Sequence, residues 1–172
     1  MDAVGVASAA VGSVVTGVSD IERAPLDYDA FLAGRSLTRI SGTAIVDGMP
    51  VPWAVVEKVT ERPGVASAYL YDNGLREFRA YESGILADLA PGLSAPGAYR
   101  CEEAEDGRRT LWLEDLGSRQ RWTSDRYLVA ARHLGRLAGR WLDRTPDHPW
   151  LFREWIDRHS QPGARSARSP DS

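Results

Sequence analysis

The chain is expected to fold as an α+β protein: an antiparallel β-sheet with one packed helix, followed by further helices toward the C-terminus. Three features predict this. Apolar runs rich in Val, Ile, Thr and Trp occupy 14–22, 37–46 and 51–60, the composition and alternation of half-buried strands. Asp47-Gly48 separates the second run from the third, and Asp-Gly between two such runs marks a tight hairpin turn. Beyond residue 73, leucines and aromatics recur instead at three- and four-residue spacing, the period of an amphipathic helix. At 172 residues the chain can bury a sizeable core as one ordinary domain.

The N-terminal run Met1 to Val11 is small and apolar. Asp2 stands where a secretory signal would carry basic residues, and the Gly and Ser content is too high for a membrane span, so 1–13 reads as a short packing helix. Candidate strands follow at Val14 to Glu22, Leu37 to Val46 and Val51 to Thr60, the last two paired antiparallel through Asp47-Gly48. Tyr28 and Phe31 give the intervening connection some packing of its own.

Pro63-Gly64 interrupts the sheet pattern. Leu75, Phe78, Ile85, Leu86 and Leu89 then describe a helix, capped by Asp72 or Asn73 and ended by Pro91-Gly92. Gly84 inside it suggests close approach of another backbone. Gly97 to Glu102 and Thr110 to Leu113 read as a second hairpin around Glu105-Asp106-Gly107. Thr123 and Ser124 are capping residues for a long helix whose stripe is Tyr127, Leu128, Ala131, Leu134, Leu137, Trp141 and Leu142, stopped by Pro146. Pro149 to Ile156 suggests one more short helix. The Arg/Ser/Pro-rich residues 161–172 are expected to be disordered.

A hydrophobic content of 43%, a charged content of 26% and a net charge of −3 describe a soluble globular protein, with no nucleic-acid or membrane partner indicated. Cys101 is the single cysteine, which excludes an internal disulfide framework and a cysteine metal cluster and points to a cytoplasmic location. His133, His148 and His159 lack a third ligand at metal spacing, so no metal is assigned to them.

Lys58 is the only lysine among 21 Lys and Arg residues. In the run Trp53 to Val59, alternation puts Ala54, Val56 and Lys58 on one face and Trp53, Val55, Glu57 and Val59 on the other, so an ammonium ends an apolar stripe. A lysine is a compact point charge on a flexible stem, unlike the planar arginine fork, and suits a phosphate held beside an apolar surface.

Ala54-Val55-Val56-Glu57-Lys58, a following helix with Arg76-Glu77-Phe78-Arg79-Ala80-Tyr81, and Thr110-Leu111-Trp112-Leu113-Glu114-Asp115-Leu116 occur in the order of the N-terminal lobe of protein-kinase-like phosphotransferases. The chain resembles the aminoglycoside phosphotransferase type of small-molecule kinase over roughly Leu37 to Trp155. The resemblance implies that Lys58 contacts the phosphates of ATP and that a helix glutamate orients it. Glu77 is favoured over Glu82, which falls within the apolar stripe. It also implies that the backbone of Leu113, Glu114 and Leu116 meets adenine. Arg132 to Gly139 resembles the first helix beyond this hinge.

The chain departs from that family in two ways. No G-x-G-x-x-G precedes Lys58, only Gly34-Arg35-Ser36 and Gly42, and no H-x-D motif occurs anywhere. The family's magnesium ligands are therefore lacking. Asp115-Leu116-Gly117 is in the wrong order to supply a metal-binding aspartate, since no catalytic loop precedes it. The expected organisation is an N-lobe at 1–118, linking helices at 119–160 and a tail at 161–172, as in a truncated, ATP-binding phosphotransferase inactive without its C-lobe. The alternative is a non-enzymatic protein-interaction or self-associating domain using Trp141, Trp150, Phe152 and Trp155.

Overall fold

The computed structural model describes residues 2–26, 35–61, 75–117, 122–142, 144, 148 and 150. In chain order these form α1 (Ala3–Val11), β1 (Gly17–Pro25), β2 (Arg35–Val46), β3 (Met49–Thr60), α2 (Leu75–Glu82), a 3₁₀ turn (Ile85–Asp88), β4 (Ala98–Glu103), β5 (Arg109–Glu114) and α3 (Ser124–Trp141). The strands make one antiparallel sheet in the order β1-β2-β3-β5-β4. The α+β class and the antiparallel sheet are as expected. The expectations for Tyr28, Phe31, Pro63-Gly64, the Asp72 or Asn73 cap, Phe152, Trp155, His159 and the tail lie outside the described residues.

The β2–β3 hairpin sets the register of the sheet. Asp47 and Gly48 both adopt positive φ, 50° and 78°, the two-residue turn whose twist matches paired strands. Val46 therefore pairs with Met49, and counting back places Leu37 opposite Lys58 and Arg39 opposite Val56. On the far side of β3, Lys58 pairs with Leu111 and Val56 with Leu113.

Two helices pack on the sheet, one on each face: α1, where a short packing helix is expected at 1–13, and α2. On one face α1 lies against β1, β3 and β4, and Val6, Ala7, Val15, Ile40, Ala44, Trp53, Val55 and Trp112 form a continuous buried cluster. The Asp2 carboxylate accepts the Gly5 amide at 3.0 Å to start this helix, and Gly12, at φ 67°, ends it in the left-handed conformation. Val15 is part of this core, and its amide donates to the Ser8 hydroxyl at 3.1 Å. That bond holds 13–16 as a connection and delays β1 to Gly17.

On the other face Phe78 of α2 packs on Leu111 and Leu113, with Val56, Tyr81 and Cys101 around them. The helix expected to run to Pro91-Gly92 stops at Glu82. Gly84 is responsible, though not through close packing: it has φ 73°, and a methyl group built there would meet nothing within 4 Å. Handedness ends the helix, and a 3₁₀ turn follows.

α3 begins where Thr123 accepts the Arg126 amide at 3.4 Å and ends at Trp141, short of Pro146. It touches the body through His133, whose Nδ1 lies 3.1 Å from the Pro91 carbonyl and whose ring leaves no room for a side chain at Gly92. No residue of α3 is buried. Tyr127, Leu128 and Leu134 of the predicted stripe are each more than half exposed.

Candidate functional site

Period-two alternation on β3 gives Lys58 to the α2 face, next to Val56 and opposite Leu111. The first turn of α2 carries Glu77. Lys58 Nζ donates to Glu77 Oε2 at 2.5 Å, with the lysine side chain 11% exposed and the glutamate 32%. Of the two helix glutamates, Glu77 is the one paired with Lys58; Glu82 pairs with Arg79, which also reaches Glu103 at 3.3 Å. Tyr81, one turn beyond Glu77, has its phenol pushed above the ordinary value by burial and then by the Glu77 charge. The Cys101 thiol, on the same face, is raised chiefly by burial, which disfavours the reactive thiolate.

A cavity of about 650 Å³ opens on this face, lined by Leu26 just past β1, Arg39 of β2, Val56 of β3, Pro96, and the β5 end and the segment beyond it, including Leu113 and Leu116. That size suits a small organic ligand. Its floor is apolar, and Lys58 lies one same-face step along β3 from Val56, about 7 Å away.

Leu113 is buried, with its side chain in the α2-face core. Glu114 is the last residue of β5, and its amide donates to the Gly97 carbonyl at 2.7 Å. Its carboxylate accepts the Gly97 amide at 3.0 Å. The Glu114 amide is thus already committed to Gly97. Leu116 lies past the strand and is 70% exposed, outside the sheet's hydrogen-bond ladder.

Asp115 and Arg39 were not singled out as a pair from the sequence. Arg39 Nε donates to Asp115 Oδ2 at 2.7 Å, and the Gly117 amide donates to Asp115 Oδ1 at 2.9 Å. Burial pushes the Asp115 carboxyl up, but these two donors and the arginine charge outweigh it and hold it below its ordinary value. Half of the signal lies in the sequence, because the Asp47-Gly48 register puts Arg39 opposite Val56; the place of Asp115 depends on how the chain turns after β5. Gly42, one of the glycines that precede Lys58, lies in mid-β2 opposite Trp53. A side chain there would come within 2.8 Å of the Ser19 carbonyl, so this glycine serves the bulge in β1 between Ser19 and Glu22. Arg35 and Ser36 do start β2 beside the Lys58 end of β3; Gly34 lies outside the described residues.

Among the described residues no group of three His, Cys, Asp or Glu side chains is placed to hold a metal ion, and no helix is long and apolar enough to cross a membrane. What fold and site define is an α+β sheet with a helix on each face and a lysine–glutamate pair beside an open cavity. Comparison with family models, curated proteins and solved structures finds no match.

Proposed function

We propose that this chain is the nucleotide-binding lobe of a small-molecule phosphotransferase. The observation that carries the reading is the 2.5 Å pair between Lys58 on the third strand and Glu77 on the next helix. It is the pairing by which kinase-like lobes fix a phosphate-binding lysine. The strand order supports it further, since β5 lies beside β3 and delivers the chain at Glu114 to the mouth of the cavity. The donor set fits ATP: an ammonium for the phosphates, an apolar floor at Val56 and Leu113 for the base, and chain beyond the strand at Leu116. In this reading Lys58 holds the phosphates and Glu77 fixes its ammonium in place. Magnesium, which the family uses to neutralise charge on the transferred phosphoryl group, would take its ligands from a second lobe, as would the group that positions the acceptor. Phosphoryl transfer is therefore assigned to the lobe together with such a partner.

Thermal unfolding with and without ATP tests this. A ligand present at about ten times its Kd adds roughly 1.4 kcal/mol, and Lys58→Ala should abolish that gain. A wild-type chain that unfolds identically at every ATP concentration overturns the proposal.

A second reading, an interaction or self-associating domain, has one observation in its favour: the unburied α3 with its exposed Tyr127, Leu128 and Leu134, and Leu142 just past its end. Sedimentation equilibrium distinguishes it, as association that rises with protein concentration and ignores ATP.

A further inference from the structure

The nucleotide reading leaves one part of the cavity wall without a role. Arg39 and Val56 pair across β2 and β3, and Val56 and Leu113 pair across β3 and β5. The three side chains form a row on the Lys58 face, about 5 Å per strand. Asp115 lies just beyond β5, so the Arg39 side chain reaches across β3 to it. Its Nε is fixed there at 2.7 Å from the carboxylate. The arginine side chain stays 48% exposed while that of Asp115 is 12% exposed, so the carboxylate lies deeper in the wall than the cation. All three row residues and Asp115 line the same cavity.

A planar guanidinium pinned at one atom across an apolar floor is suited to lie against the face of a flat aromatic ring, because it is weakly hydrated and stacks as well as donates. A lysine carries the charge but has no plane to stack. We propose, building on the nucleotide reading, that Arg39 is a base-recognition residue: tethered by Asp115, it stacks on the purine of the bound nucleotide, while Lys58 alone deals with the phosphates. Arg39 and Lys58 thereby divide the ligand between them. Arg39 grips the ring near the Glu114 end of the cavity and Lys58 the charged end, two residues further along β3.

The division is testable because the two halves of the ligand can be offered separately. Binding of ATP and of inorganic tripolyphosphate to the chain is followed by two-dimensional NMR, which registers weak affinities and reports the fold of each variant in the same spectrum. Arg39→Ala should weaken ATP about tenfold, the scale of one desolvated cation–ring contact, and leave tripolyphosphate unchanged. Lys58→Ala should weaken both. ATP, and not tripolyphosphate, should shift the Val56 and Leu113 methyl signals through the ring current of the base. Arg39→Lys keeps the charge, loses the plane and should behave as Arg39→Ala, which guards against a variant that merely misfolds. If Arg39→Ala and Arg39→Lys both bind ATP as the wild type does, or if Arg39→Ala loses ATP and tripolyphosphate in equal measure, the base-stacking role is overturned while the nucleotide reading stands. If the wild type binds neither ligand, the nucleotide reading itself has failed.

Discussion

The two faces of the sheet are built from alternate residues of the same strand and do opposite things. Under α1, Trp53 and Val55 of β3 join Ile40, Ala44, Trp112 and Val6 in a closed apolar cluster, and charge stays at its margin: Glu57, 9% exposed, pairs with Arg23, and Arg100 lies over the Trp112 ring. Under α2, Val56 and Lys58 face a smaller cluster of Phe78, Leu111 and Leu113, and ion pairs stand on either side of Val56. α2 covers only part of its face, and the uncovered part is the cavity. One strand can serve both purposes because its side-chain period is two. The sealed face can hold the sheet while the open face spends its positions on charge.

The sharpest way to break this comparison is to hollow the sealed face. Ile40 is fully buried at its centre, and Ile40→Ala should cost about 2–5 kcal/mol by lost burial plus the cavity left behind. Urea denaturation measures it. A loss below about 1 kcal/mol would mean that the α1 face does not hold the sheet.

On the open face the expected effects are smaller and asymmetric. Glu77→Gln leaves the mostly buried Lys58 ammonium facing a neutral amide, at a cost of about 1–3 kcal/mol. Lys58→Met removes the buried charge itself and leaves Glu77 a third exposed to water, so its cost should fall within about 1 kcal/mol. Equal losses for the two variants, measured in the same denaturation series, would show that the pair is an ordinary stabilising ion pair with no penalty stored on the lysine side.

Much of this arrangement was legible in the sequence, because it rests on local chemistry. Asp47-Gly48 fixed the hairpin, the hairpin fixed the faces of β3, and the choice of Glu77 followed from its place beside the apolar stripe. The helices were harder to read. α1 has small residues and little polar contrast, yet Val6 and Ala7 are fully buried, since small side chains let a helix approach the sheet closely. α3 carries the clearest periodic stripe, yet none of its residues is buried. Amphipathicity states what a helix is able to bury, and tertiary contacts decide whether it does. Gly84 shows a related ambiguity: a glycine within a helical pattern can mean close packing or a left-handed turn, and only the backbone angle tells which. The Arg39–Asp115 pair was missed because it joins residues 76 positions apart. Register supplies half of it, and the other half depends on how the chain turns after β5.

That pair gives the smallest effect and the one most specific to the open face. Arg39 and the Gly117 amide hold the Asp115 carboxyl below its ordinary value in the folded chain. The unfolded chain titrates near the ordinary value, about 3.9. A carboxylate whose folded pKa is the lower contributes stability that is fully present above the unfolded value and is lost as pH falls through the folded one. Asp115→Asn removes this contribution. The stability difference between wild type and Asp115→Asn should therefore be constant from about pH 7 to pH 5 and shrink as pH drops below about 4. Urea denaturation of both proteins across that range reads the difference directly. A gap that stays the same at pH 3 as at pH 6 would mean that Arg39 stabilises nothing through the charge of Asp115, and the tether would then rest on hydrogen-bond geometry alone.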